Sequence, residues 1–238
     1  MAGLASALLF AASPACAGEL ATKVYSPVLE PGQTEIESRY GRLVGGEDAR
    51  EDDLLVEVAH HLSKRFYGGF ELATHRDPNG SREIESFGVE AIVSFGKVAG
   101  IQSGVLVEYA ANRHGRDALE TKLLLERPIG EFDARLNLIA EKELRAGGPL
   151  EFAYAASADT EVADEFRLGV MALGELGSSR HLTTHGEHFV GPNLKYELEP
   201  KEGGGELGFE LGYLFALGEA RDDARGLLRL QVEYGFRF

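Results

Sequence analysis

The residues whose types and spacing could most clearly bind ions are charged side chains that alternate with apolar ones along many short stretches. Successive side chains of an extended strand point to opposite faces, so such a stretch has one charged face and one apolar face. If strands of this kind enclose a water-filled lumen, charges of one sign facing inward select permeant ions. The candidate lumen-lining residues are Glu57, Glu71, Glu90, Glu108, Glu141, Glu197, Glu210 and Glu233, with Arg39, Arg135, Arg167 and Arg229.

The same residues permit a second interpretation, in which the charges fill the interior and conduct nothing. Charged groups in a narrow interior persist only when they are paired or hydrated. Acids and bases would then hold the wall in shape through ion pairs. The sequence leaves both a cation-preferring path and a salt-bridged filling open.

Three histidines in one stretch raise the question of a metal site. His181, His185 and His188 lie in RHLTTHGEH, and grouped imidazoles can bind Zn²⁺ or Cu²⁺. The stretch has no HExxH spacing and is typical of a polar loop. We therefore predict no metal site and no cofactor.

A histidine and a serine two residues apart raise the question of catalysis. His61 and Ser63 share one face of a predicted strand, whereas His60 and His61 point to opposite faces. A His–Ser pair supports nucleophilic catalysis when an acid orients the histidine, but spacing identifies no such acid. The chain also has no G-x-S-x-G elbow, P-loop or dinucleotide fingerprint. We predict no catalytic residues and no enzyme, with a barrel-embedded lipid hydrolase as the alternative function.

The charged faces require extended strands, and the alternation recurs in twelve segments of roughly the ten-residue length that a tilted membrane-spanning strand needs. Helical periodicity competes only where three leucines are consecutive, at 123–125. The predicted strands are 34–41, 54–62, 66–74, 84–95, 101–109, 119–126, 132–141, 150–157, 166–175, 188–198, 207–217 and 228–238. Their connections alternate between short and long, except that 158–165 is longer than this rule allows.

The C-terminal stretch ARGLLRLQVEYGFRF, which contains the last predicted strand, carries the strongest single signal. Its apolar face ends in an aromatic residue and consists of Leu228, Leu230, Val232, Tyr234, Phe236 and Phe238. The stretch resembles the final strand of Gram-negative outer-membrane β-barrels. The resemblance implies an antiparallel up-and-down barrel in the outer membrane, lipid around it, and periplasmic chaperones and the barrel-assembly machinery as partners during biogenesis.

Composition limits the remaining possibilities. The formal net charge of −15 argues against nucleic-acid binding, which needs a basic footprint. No stretch approaches the roughly 18 consecutive apolar residues of a membrane helix. Residues 1–17 have an apolar run and an Ala15-Cys16-Ala17 ending that is typical of a cleaved signal peptide, which would remove the single cysteine.

These observations predict an all-β protein with a signal peptide at 1–17, an extended periplasmic lead at 18–32 and a barrel of about twelve strands at 33–238. Its predicted function is passive passage of small solutes or cations through an acidic lumen. A lipid hydrolase, or a plugged barrel with a structural or surface-interaction role, is the alternative.

Overall fold

A computed structural model of the chain describes residues 19–183, 186–198 and 205–237. The predicted signal peptide, His185 and Phe238 lie outside the described residues. Within them, no helix has the length and apolar character needed to cross a membrane.

Strands account for nearly all of the regular structure. A short 3-10 helix, Glu19–Ala21, comes first, and a four-residue helix α1, Ala220–Asp223, lies between the last two strands. The strands are β1 Gln33–Val44, β2 Asp52–His61, β3 Phe66–Arg76, β4 Glu83–Val98, β5 Ile101–Asn112, β6 Ala118–Ile129, β7 Phe132–Glu143, β8 Glu151–Ala163, β9 Phe166–Ser178, β10 His181–Leu182, β11 Glu187–Leu198, β12 Glu206–Gly218 and β13 Gly226–Arg237.

The twelve long strands form a closed antiparallel barrel. Each pairs with two neighbours, and β1 closes the sheet by pairing with both β2 and β13. The two-residue β10 only extends the edge of β9. All twelve predicted strands are present and most are longer than predicted, and the leucine run at 123–125 lies in β6.

Connections at the two ends of the barrel differ in length. One end, here the short-turn end, carries two-residue turns such as Ala99-Gly100, where both residues have positive φ as in the turns that match strand twist. The other, the long-loop end, carries connections of the type 45–51 and 219–225. The predicted long connection 158–165 was wrong, because β8 continues to Ala163 and leaves only Asp164 and Glu165 as a turn.

The outer surface of the barrel is an apolar belt. Val89 and Leu211 are 43% and 50% exposed, while Glu90, next to Val89, is 2% exposed and faces inward. Aromatic pairs cover the outside near the short-turn end, with ring centroids 4.7 Å apart for Phe166 and Tyr196. A continuous exposed apolar surface with an aromatic margin matches a wall that contacts lipid.

The interior is less polar than the sequence predicted. A buried apolar cluster fills the long-loop half of the lumen against β7–β13 and α1, and includes Met171, Leu173, Phe189, Leu214 and Leu227. These side chains face inward because several strands are apolar on both faces, as β9 is. The apolar residues therefore pack against each other and fill a part of the lumen that the sequence predicted to be lined by charges.

The largest correction concerns the predicted periplasmic lead at 18–32. Residues 20–30, here the luminal segment, run inside the barrel from the long-loop end to the short-turn end. Ala21, Tyr25 and Leu29 are 0%, 2% and 7% exposed. The segment is enclosed because its apolar residues and backbone groups find partners on the inner wall, as described below.

Candidate functional site

A band of glutamates crosses the inner wall at mid-depth. Strand register places Glu37 opposite Glu57, Glu57 opposite Glu71, Glu90 opposite Glu108, and Glu108 opposite Glu120. Like charges directly opposite each other are normally destabilising, so this arrangement needs compensation. We call the whole set the glutamate belt; from β13 to β7 its members are Glu233, Glu37, Glu57, Glu71, Glu90, Glu108, Glu120 and Glu141.

Two basic residues of the wall compensate part of this charge. Arg39 is 2% exposed and lies 2.9 Å from carboxylate oxygens of both Glu37 and Glu57, and it also pairs with Glu71. Lys122 lies 2.8 Å from Glu120. Both cations are buried with their partners, so the ion pairs replace much of the hydration that the charges lose.

The third cation comes from the luminal segment. The Nζ atom of Lys23 lies 2.5 Å from Glu37, 4.0 Å from Glu57 and 3.9 Å from Glu233. Arg39, Lys122 and Lys23 are three cations that form ion pairs with the eight carboxylates of the belt. The belt therefore keeps an excess of carboxylates.

Two buried tyrosines cross-link the belt. The Tyr25 hydroxyl lies within hydrogen-bonding distance of Glu90 (2.8 Å) and Glu57 (3.2 Å), and Tyr67 contacts the same two carboxylates. The ammonium groups of Lys23 and Lys122 lie 5.0 and 4.9 Å from the centroid of the Tyr25 ring. Tyr25 thus stands between the carboxylates and the cations, where its ring and hydroxyl contact both.

Hydrogen bonds fix the luminal segment along its whole length. Near the long-loop end, the Leu20 N–H donates to Asp53 (3.0 Å) and Arg229 donates to the Thr22 carbonyl. At mid-depth, Asn137 accepts from the Tyr25 N–H (2.7 Å) and donates to the Tyr25 carbonyl (3.0 Å). An amide that both accepts from and donates to one residue's backbone replaces a pair of strand-like hydrogen bonds.

The lower part of the segment is held near the short-turn end. Ser26 donates to Glu126, the Glu30 N–H donates to His61 Nδ1 (2.8 Å), and Arg237 pairs with Glu30. Gly41 provides space for the upper part, because a Cβ there would overlap the carbonyl oxygen of Leu20. The wall is therefore shaped for the segment as well as hydrogen-bonded to it.

Two cavities lie on either side of this obstruction. One of about 400 Å³ opens toward the short-turn end and is lined by both acids and bases. The other, of about 180 Å³, lies toward the long-loop end beside Leu20 and Thr22. They share no lining residue, and residues 23–25 with their belt partners lie between them.

The structure divides the sequence-predicted lumen residues into three groups. Glu57, Glu71, Glu90, Glu108, Glu141, Glu233 and Arg39 belong to the belt or pair with it. Glu197, Glu210, Arg135 and Arg167 line the larger cavity, where Arg135 lies 2.8 Å from Asp133 and Arg167 pairs with Asp159. Arg229 instead contacts the luminal segment and Met171.

The candidate catalytic residues, and the described histidines of the candidate metal-binding stretch, each have separate partners. His61 accepts from Glu30 at Nδ1 and faces Glu35 at Nε2 (3.0 Å), while Ser63 Oγ accepts from backbone N–H groups of its own turn. His181 is exposed, and His188 lies 3.4 Å from the Tyr154 hydroxyl. His60 contacts Thr34 on the opposite face from His61, as predicted.

Sequence reasoning missed the residues that block the lumen. Lys23 and Tyr25 lie in a stretch without strand periodicity, and Asn137 is one polar residue on a predicted inner face among many. The available signal was a single pairing of a basic and an aromatic residue, Lys23 and Tyr25, two positions apart in a largely uncharged stretch. Nothing in the sequence connects it with partners 112 residues away.

Comparison with known proteins identifies the fold. No protein-family profile and no curated protein sequence matches the chain. Among solved structures, the NanC porin is similar with a TM-score of 0.59 at 9% identity, over 85% of this chain and 100% of that chain. The KdgM porin, solved in complex with disordered oligogalacturonate, gives 0.57 at 11% identity over 86% and 99%. An outer-membrane channel from Pseudomonas putida F1 gives 0.58 at 12% identity over 93% and 98%.

The similarity extends over almost the full length of each of these barrels. The closed twelve-stranded sheet, the apolar outer belt and the porin-like architecture agree with each other and with the prediction from the last strand. The chain has the fold of outer-membrane porins and channels.

Proposed function

We propose that this barrel is a channel for small cations that its own luminal segment closes. The observation that carries the proposal is the position of Lys23, whose ammonium group lies among Glu37, Glu57 and Glu233 at mid-depth. A permeating cation would meet the same carboxylates at the same depth. The Lys23 ammonium group therefore lies where a permeating cation would bind, on the path that the barrel wall encloses.

The sign of the charge supports cations over anions. The belt has more carboxylates than cations, and a low-dielectric wall around it strengthens the negative potential in the lumen. The ligand in the KdgM complex, oligogalacturonate, is a polyanion, so the belt does not favour that ligand here. Small inorganic cations and organic ammonium ions fit the belt better.

The closed state is supported by contacts along the segment. Release requires breaking the Asn137–Tyr25 hydrogen bonds, the Lys23 ion pairs and the Leu20–Asp53 hydrogen bond, which lie at different depths. With the usual orientation of such barrels, the short-turn end faces the periplasm and the long-loop end faces outward. Followed back from the start of β1, the segment then enters the lumen from the periplasmic side and reaches the long-loop end at Leu20.

The closing role is testable by weakening and by locking the segment. Gly41→Ala forces Leu20 away from the wall, whereas at Gly212 a Cβ would meet nothing closer than 3.6 Å. In planar bilayers we expect Gly41→Ala to open more often than the wild type, and Gly212→Ala to match the wild type. Reversal potentials in a KCl gradient should show cation preference that weakens as salt rises, because screening shortens to about 3 Å at 1 M.

A disulfide supplies the opposite test. A Cβ at Gly104 would lie 3.1 Å from the Pro27 Cβ, a few tenths of an ångström short of the separation of about 3.5–4.5 Å in disulfides. In a Cys16→Ser background, oxidised Pro27→Cys/Gly104→Cys protein should not conduct, and reduction should restore openings. If Gly41→Ala and the reduced double variant are both silent, the protein is a plugged barrel without transport. Anion preference would contradict the cation assignment alone.

A further inference from the structure

A separate cluster of metal-ligating side chains lies at the long-loop end, away from the belt. Asp53 and His75 are opposite each other on β2 and β3, and His75 Nδ1 lies 2.8 Å from an Asp53 carboxylate oxygen. Glu85 completes the cluster, with one potential ligand atom from each of the three residues within 4.8 Å of the others. All three line the cavity of about 180 Å³.

A β-bulge aims Glu85 into this cluster. Strand β3 pairs Ala73 with Ser86 but Thr74 with Ile84, so Glu85 is an extra residue in β4. Beyond the bulge, Ile84 is 46% exposed on the outer face and Glu85 turns inward. Regular alternation would have pointed Ile84 into the lumen. Bulges of this kind commonly redirect a side chain beside a functional site.

The surroundings favour a cation. The cavity is also lined by Glu51, Glu175 and Glu187, and no lysine or arginine is among its described lining residues. Asp53 is 3% exposed, and its second carboxylate oxygen accepts the Leu20 N–H at 3.0 Å, which fixes the orientation of the carboxylate. Hydrogen bonds of this kind orient ligands around bound metals.

We propose that Asp53, His75 and Glu85 form a binding site for a divalent transition metal, with Zn²⁺ as its best-fitting ion. One imidazole and two carboxylates are ligands that Zn²⁺ accepts, and three protein ligands leave a fourth position for water from the cavity. Ligand atoms about 3.4 Å apart suit tetrahedral Zn²⁺, given metal–ligand distances of about 2.0–2.2 Å. His75 and Asp53 are 2.8 Å apart and no pair of ligand atoms is more than 4.8 Å apart, so small side-chain movements are sufficient.

The test is Zn²⁺ binding to purified, untagged full-length protein carrying Cys16→Ser, followed by titration calorimetry in detergent. We expect one Zn²⁺ per chain and at least about tenfold weaker binding for His75→Gln and for Glu85→Gln, since even second-shell changes cost about 10–100-fold. The matched control is His114→Gln, because His114 lies 3.5 Å from Glu83 in an exposed His–carboxylate pair outside the cavity. This control should bind like the parent.

Other results would contradict a Zn²⁺ site at these three residues. Far-UV circular dichroism of each variant shows whether the barrel has folded. Zn²⁺ binding that survives both substitutions, or that His114→Gln weakens equally, overturns the site. Equal affinity for Ca²⁺, unaffected by His75→Gln, would show a diffuse carboxylate surface and also overturn it. None of these outcomes depends on whether the barrel conducts.

Discussion

Two regions of the lumen are filled in opposite ways. The glutamate belt at mid-depth consists of buried charges that need counter-charges. The apolar cluster toward the long-loop end consists of side chains that need only close packing against other apolar groups. The luminal segment matches both, because Lys23 pairs with the belt while Leu20 and Val24 pack against the cluster. One short stretch therefore fills two regions of the lumen that have different physical requirements.

The largest effect is expected from removing a counter-charge in the belt. Arg39→Gln leaves Glu37, Glu57 and Glu71 without their shared partner, and breaking a buried ion pair costs about 3–5 kcal/mol. Urea unfolding of barrels refolded into lipid vesicles measures this loss. Arg42→Gln is the control, since it changes the same strand on the opposite face. A loss below about 1 kcal/mol for Arg39→Gln would contradict a structural role for the belt pairs.

An intermediate effect is expected from a cavity in the apolar cluster. Leu214 is fully buried, so Leu214→Ala should lower the free energy of unfolding by about 2–4 kcal/mol. Leu211→Ala on the same strand is the control, because Leu211 is 50% exposed on the outer face. The same unfolding assay compares them, and equal losses would show that the inner cluster is loosely packed.

The smallest effect is expected from neutralising a belt residue whose direct neighbours are like charges. Glu108 lies opposite both Glu90 and Glu120, so Glu108→Gln should be neutral or stabilising by up to about 1 kcal/mol. Glu57→Gln is the contrasting variant, since it weakens contacts with Arg39 and Tyr67 and should cost about 1–3 kcal/mol. If Glu108→Gln destabilises as much as Glu57→Gln, the like-charge account of the belt is wrong.

The sequence predicted the wall well because alternation is a local property. Val89 and Glu90 show it directly, one exposed and one buried, and the closed twelve-stranded architecture follows from repeating that pattern. The same rule could not assign β9, where Leu168 and Val170 face outward while Met171 and Leu173 face inward. When a strand is apolar on both faces, alternation does not show which face points into the lumen.

The contents of the lumen were not predictable for a different reason. Tyr25 and Asn137 are brought together by closure of the whole sheet, and Asp53 and His75 by strand register. Glu85 reaches its neighbours only through a bulge, which shifts the alternation by one residue. Such contacts depend on how whole strands pair and in which register, so residue type and spacing along the chain do not reveal them.

The contacts of the luminal segment with the last strand have a consequence for assembly. Thr22 and Arg229, like Glu30 and Arg237, are 207 positions apart, so neither contact exists until nearly the whole chain has been made. Completion of β13 therefore closes the barrel wall and fixes the luminal segment in one late step, and a chain that ends before β13 can do neither.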